Sequence, residues 1–203
     1  MTDETHPDSE TGIAALKDAL RREGFTRRDA LDAGWRMEAS RRIAASVLAL
    51  PDLADLEPVG AYWPMRSEVD PRPTLAALAG RGCAVALSQT RMPTLVWRAW
   101  KPGDRLAHGG FGVMEPGPDA AEVSPRALLV PLCRFDRTGG RIGYGKGHFD
   151  RSITALSALH PLLTIGIAFS VQEADAVPMA SHDRPLDLVV TEREVIRARE
   201  SVR

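Results

Sequence analysis

Five short apolar runs, Val59 to Trp63, Cys83 to Leu87, Ala127 to Leu132, Leu163 to Ala168 and Leu188 to Val190, dominate the layout of this chain. Each has strand length, and none alternates apolar with polar residues, so each predicts a strand buried on both faces. Helical spacing fills much of the sequence between them. Strands alternating with helices imply an α/β fold: a mainly parallel sheet in a three-layer α/β/α arrangement. Two helices are predicted ahead of the first strand. One is capped by Ser9 or Thr11, carries Ile13, Leu16 and Leu20 on one face, and ends at Gly24. The next starts at Thr26, with Asp29 in a capping-box position, and stops before Pro51. Further helices are expected at Thr74 to Ala79 and His148 to Leu159. Trp97 to Val113 suggests an edge hairpin around Lys101-Pro102-Gly103-Asp104, and Glu115 to Pro125 reads as a surface loop.

A chain of 203 residues, 44% hydrophobic, suits one domain. Residues 11–203 are assigned to it, with N-terminal helices over 11–50 and the α/β core over 58–192; residues 1–10 are expected to be mobile. The net charge of −1 gives no global field toward nucleic acid or membrane, so an anionic ligand needs local cations. Cys83 and Cys133 lack zinc spacing and are expected to be reduced, buried thiols. With no apolar run of about 18 residues and no signal-like N-terminus, the expectation is a cytoplasmic protein.

Chemistry concentrates at Gly139 to Arg151, G-G-R-I-G-Y-G-K-G-H-F-D-R. Alternating Gly143, Gly145 and Gly147 lie between a strand and a helix start, where bare backbone N–H groups and the helix dipole suit a phosphate. Arg141 and Lys146 add full charges. No G-K-[ST] closes the segment and its third glycine is out of place for a dinucleotide fingerprint, so neither motif applies. A flexible glycine turn is the bland alternative. Asp150, in the first helical turn, either favours the dipole or ligates magnesium beside phosphates. Asp187 is the candidate second carboxylate, with Asp183 as competitor. Glu68, in Y-W-P-M-R-S-E-V-D from Tyr62 to Asp70, could accept the adjacent N–H donors of a pterin-like ring or merely sit in a solvated acidic loop. Lys17 and Arg21 share a helix face.

Taken in order, K-x-x-L-R at Lys17 to Arg21, R-S-E-V-D at Arg66 to Asp70, F-G-V-M-E-P at Phe111 to Pro116, the glycine-rich segment, and H-D-x-x-L-D-x-V-V-T-E at His182 to Glu192 resemble the 5-formyltetrahydrofolate cyclo-ligase family. The resemblance spans nearly the whole chain. It implies a fold like the ribose-phosphate isomerases and CoA transferases. It also implies ATP-dependent closure of 5-formyltetrahydrofolate to 5,10-methenyltetrahydrofolate by a monomer, with Mg²⁺ as cofactor. By position it assigns Lys17, Arg21, Arg141, Gly143, Gly145, Lys146, Gly147 and Phe149 to ATP, with Arg141 and Lys146 catalytic. Trp63, Glu68, Tyr144, Gly145, Lys146, Gly147 and His148 go to the reduced folate, and Asp150 and Asp187 to the metal. His148-Phe149 departs from the paired aromatics common at this point, so His148 either contacts substrate or fills an aromatic's space. A sugar-phosphate kinase or isomerase, and a non-catalytic nucleotide or folate binder, are the competing readings.

Overall fold

A computed structural model describes residues 10–198. The expected mobile N-terminus and a cap at Ser9 lie outside that range, apart from Glu10, which opens the first helix. Two helices, α1 (Glu10–Asp29) and α2 (Ala33–Leu48), precede strand β1 (Val59–Ala61) and helix α3 (Arg72–Gly80). Strands β2 (Val85–Arg91), β3 (Thr94–Trp100), β4 (Leu106–His108), β5 (Met114–Pro116), β6 (Glu122–Val123) and β7 (Ala127–Val130) follow. A small hairpin, β8 (Arg134–Phe135) and β9 (Arg141–Ile142), leads into helix α4 (His148–Ser157). Strands β10 (Leu163–Ile167), β11 (Leu188–Val190) and β12 (Val195–Arg197) complete the described chain.

The main sheet has the order β12-β11-β10-β7-β1-β2-β3-β6. Its five central strands are parallel. Antiparallel β3 and β6 extend one edge and antiparallel β12 the other. Successive residues point to opposite faces, and both faces are covered. Val59, Val85, Leu129 and Ile165 pack with Ile43 and Val47 of α2 and Leu75 of α3. Ala86, Leu128, Val130 and Val189 pack with Ile153 and Leu156 of α4. This two-sided burial is why the strands read as continuous apolar runs.

Three boundaries differ from expectation, each for a local reason. Helix α1 does not stop at Gly24 but continues to Asp29, and Thr26 spends its hydroxyl on the Arg22 carbonyl, 3.1 Å away, instead of capping a new helix. The break comes later: Asp32 caps α2, its carboxylate accepting from Trp35 N at 2.9 Å. The edge hairpin is β2–β3, in register from Val85↔Trp100 to Arg91↔Thr94, not Trp97 to Val113. The Lys101–Asp104 turn forms, but it redirects the chain so that β4 pairs with β5. Finally, Glu115 to Pro125 is not all loop. Glu115 is buried in β5, where its carboxylate accepts from the Thr90 N–H at 3.0 Å and the Thr90 hydroxyl at 2.8 Å. Among the described residues no helix is long and apolar enough to cross a membrane.

Candidate active site

Lys17, Arg21, Gly24 and Arg28 recur at intervals of four, three and four residues, so an unbroken α1 presents them on one face. That face lies against the β8–β9 hairpin and the glycine-rich segment. Gly24 permits the approach: a Cβ there would stand 2.4 Å from the Cys133 carbonyl oxygen, inside any real contact distance. The Cys133 thiol, buried beneath, is pushed up to about 12 by loss of solvent.

At the glycine-rich end, Arg21 Nε donates to the Gly143 carbonyl at 2.8 Å. Its guanidinium lies 3.2 Å from the place a Cβ on Gly145 would occupy, and Gly145 has φ of +86°. Any side chain there would be strained as well as obstructed. Gly147, also left-handed at φ 64°, starts α4. Lys17 forms an ion pair with Asp183. Buried Arg141 donates from Nη2 to Asp150 Oδ1 at 2.8 Å, and the Arg184 N–H donates to the same oxygen at 3.1 Å. Burial lowers the Arg141 pKa, with Asp150 opposing it. For Asp183 burial favours the neutral acid, but Lys17 and the Ala180 N–H outweigh it and hold the carboxyl below its ordinary range. The result is an alternating chain of charge, Lys17–Asp183 and Arg141–Asp150, around the opening of α4.

At the other end Arg28 is 1% exposed. Its Nε donates to Ser67 Oγ at 2.9 Å and its Nη2 to Tyr144 Oη at 3.0 Å. Glu68 is also buried, with Oε2 accepting from the Met65 N–H at 2.8 Å. Burial raises the Glu68 pKa; Met65, Arg28 and Tyr144 oppose without cancelling it. A folded-state pKa above the unfolded value means the folded chain keeps a proton the unfolded chain has released, so stability falls as pH rises through that window. We therefore expect Glu68→Gln, which cannot titrate, to gain thermal stability relative to the unsubstituted protein as pH is raised above the ordinary carboxylate value of about 4. Parallel melting curves would check this; a difference independent of pH would show that Glu68 titrates as an ordinary exposed carboxylate.

The structure thus gathers Lys17, Arg21, Arg141, Gly143, Gly145, Gly147, Asp150, Tyr144 and Glu68 along one helix face. Lys146 is exposed at the tip of the segment. His148 does not point into this group: its Nδ1 lies 3.1 Å from the Pro93 carbonyl, to which Arg151 Nε also donates at 2.8 Å, pinning α4 to the β2–β3 turn. Phe149 packs edge-on to Trp97 with centroids 6.0 Å apart. Trp63 packs edge-on to Trp100, 6.2 Å away, under the Arg72 guanidinium at 5.0 Å.

Asp187 is not brought to Asp150. It precedes β11 at the amino edge of the parallel sheet, where its Oδ2 accepts from the Thr164 N–H at 2.8 Å and the Thr164 hydroxyl at 2.7 Å. Helix α4 instead opens at the carboxyl edge, beside the β2–β3 turn. The β10–β11 register forces this, because the first paired residues, Ile165↔Leu188, put Asp187 level with Thr164. Asp183 is the carboxylate that joins the cluster. Among the described residues no group of three or more His, Cys, Asp or Glu side chains could hold a metal by itself, so a cation here would need ligand oxygens as well. Sequence reasoning missed Arg28 and Ser67. The helical interval from Lys17 would have exposed Arg28 had α1 been read through Gly24.

Known proteins resemble this chain in both sequence and fold. Residues 13–192 match the 5-formyltetrahydrofolate cyclo-ligase family model. The chain is 26% identical to a 5-formyltetrahydrofolate cyclo-ligase of Escherichia coli over 83% of its own length and 96% of the relative's. It is 31% identical to one from Mycolicibacterium smegmatis, over 69% and 76% of the two chains. A solved 5,10-methenyltetrahydrofolate synthetase from Aquifex aeolicus superposes with a TM-score of 0.78 at 29% identity, covering 93% of this chain and 95% of that one. One from Mycoplasma pneumoniae, 21% identical, shares the fold with a TM-score of 0.70 over 87% and 98%. With residues 13–192 matched to the family model and the same fold in solved relatives, this chain belongs to the 5-formyltetrahydrofolate cyclo-ligase family.

Proposed function

We propose that this chain closes 5-formyltetrahydrofolate to 5,10-methenyltetrahydrofolate at the expense of ATP. One observation carries the reading: a single face of α1 joins a cation-lined glycine segment, suited to phosphates, to the buried carboxylate of Glu68, suited to a pterin ring. The formyl oxygen is a poor leaving group as hydroxide. Transfer of the γ-phosphoryl group to it releases ADP and makes an iminium phosphate; N10 then attacks the formyl carbon and gives up its proton, and phosphate departs. Phosphoryl transfer asks the protein for alignment and charge neutralisation rather than a nucleophile. Arg21, the glycine-segment N–H groups and the α4 N-terminus would hold the phosphates, while Arg141 and Lys146 face the charge that develops on transfer. Glu68 would orient the pterin so that N10 meets the formyl carbon.

The donor set suits a hard cation with one or two protein carboxylates. Asp150, both of whose side-chain contacts fall on Oδ1, and neighbouring Asp183 would hold Mg²⁺. When bound, it would neutralise phosphate charge. Asp187, assigned to the metal by resemblance, is committed to Thr164 instead. Free Cys83 and Cys133 accord with a reducing, cytoplasmic compartment.

The purified protein, mixed with 5-formyltetrahydrofolate and MgATP, is expected to produce the near-ultraviolet absorbance of the methenyl product. Omission of ATP or addition of EDTA should abolish the rise. No rise from folded protein that still binds ATP would overturn the proposal.

A further inference from the structure

Arg28 Nη1 and Glu68 Oε1 are buried, opposite in charge and 4.0 Å apart, yet neither has a hydrogen-bond partner. Their side chains are only 1% and 2% exposed, so bulk solvent does not reach them. A free pair of this kind closes to about 2.8 Å. Here each is held back by its other bonds: Arg28 by Ser67 and Tyr144, Glu68 by the Met65 N–H. Leaving a charged donor and a charged acceptor unmade in a buried site is costly, and such groups call for a missing partner. The partner must offer an acceptor to Nη1 and, beside it, a donor to Oε1. Phosphate and carboxylate offer acceptors alone and would be repelled by Glu68; an amine offers donors alone and would be repelled by Arg28. A cyclic amide offers both.

We propose that Arg28 and Glu68 jointly read the lactam edge of the pterin ring, Nη1 donating to the 4-oxo oxygen and Oε1 accepting from N3–H, with Tyr144 closing the pair when no folate is bound. This rests on the folate reading above. It makes Arg28 a substrate-binding residue that fixes ring orientation. Tyr144 is placed to act as the cover. It is partly buried, its hydroxyl takes one Arg28 N–H, its ring stacks at a tilt on Phe25 with centroids 5.2 Å apart, and Gly143 and Gly145 flank it. The glycines let that segment move without side-chain obstruction.

A 4-amino analogue of a reduced folate inverts the pattern: an amino donor meets Nη1 and a bare N3 meets the carboxylate. Equilibrium binding of 5-formyltetrahydrofolate, this analogue and ATP should be compared for the unsubstituted protein, Arg28→Met and Arg28→Lys, with melting curves for each. The unsubstituted protein should prefer the 4-oxo ring by at least about tenfold. Arg28→Met should lose at least about tenfold in 4-oxo affinity and most of that preference, with ATP affinity held within about twofold. Arg28→Lys, keeping charge without the fork, should fall between them and stands in if the methionine variant does not fold. A preference unaltered in both variants would overturn the inference, since a merely structural arginine would not set it. A loss confined to ATP would also overturn it, since adenine too carries a donor beside an acceptor. If the unsubstituted protein converts folate without any 4-oxo preference, the inference fails and the folate reading stands; if it binds no folate, that reading itself fails.

Discussion

Replacing Asp150 by asparagine is expected to cut turnover by at least about a hundredfold, more than the accompanying loss of stability can explain. Two functions meet on this carboxylate. It neutralises Arg141, whose side chain is 4% exposed and whose Nε has no hydrogen-bond partner, and under the proposed function it would ligate a cation beside phosphates. Stripping a buried charge of its partner costs about 3–5 kcal/mol when nothing replaces it; an asparagine oxygen that still accepts from Arg141 keeps part of that. The two roles separate by measurement. Melting curves without ligand report the Arg141 pairing. The extra stabilisation conferred by MgATP over ATP with EDTA reports the cation, and should shrink in Asp150→Asn. Near-normal turnover in this variant would remove Asp150 from the chemistry.

Gly24→Val should be the most destabilising single change in α1. A glycine in mid-helix ordinarily costs about 1 kcal/mol relative to alanine, so substitution would help if space allowed. It does not: the Cβ would meet the Cys133 carbonyl oxygen at 2.4 Å and the Arg134 side chain at 2.9 Å. A backbone carbonyl in the β7–β8 connection cannot swing aside as a side-chain tip can. A net loss of about 3 kcal/mol is expected, which for a domain of this size lowers the melting temperature by roughly 6–12 °C. Because α1 would be levered off the hairpin, Lys17, Arg21 and Arg28 would retreat together. ATP and folate binding should therefore weaken in the same variant, whereas a surface substitution at Arg22 should touch neither. A melting temperature within about 2 °C of the unsubstituted protein would show that α1 accommodates the side chain.

How far the site was legible follows from which interactions are local. The glycine segment was recognisable because φ angles of +86° at Gly145 and 64° at Gly147 demand residues without a Cβ, a demand written directly in residue type. Lys17 and Arg21 were visible as one helix face. Arg28 was hidden because Gly24 looked like a helix stop; its real cause, close passage beneath Cys133, is a contact across more than one hundred residues and leaves no local mark. The sequence points to Asp187 as the partner for Asp150, with Asp183 as competitor; four residues separate them and both are acidic, so nothing local corrects that choice. Only the pairing of β10 with β11 sends Asp187 to Thr164 and leaves Asp183 beside Lys17.

The sequence by itself therefore determined the elements: five doubly buried strands, the helices between them, and a glycine-rich junction fit for phosphates, because periodicity and glycine content act over a few residues. Only the tertiary structure decided where those elements meet. It set the β2–β3 pairing at the edge, the burial of Glu115 against Thr90, the carboxylate that accompanies Asp150, and the held-apart Arg28–Glu68 pair. These depend on register and on close packing between segments distant in the chain, where a shift of one residue or one methyl group changes the partner. No local pattern of residues carries that information.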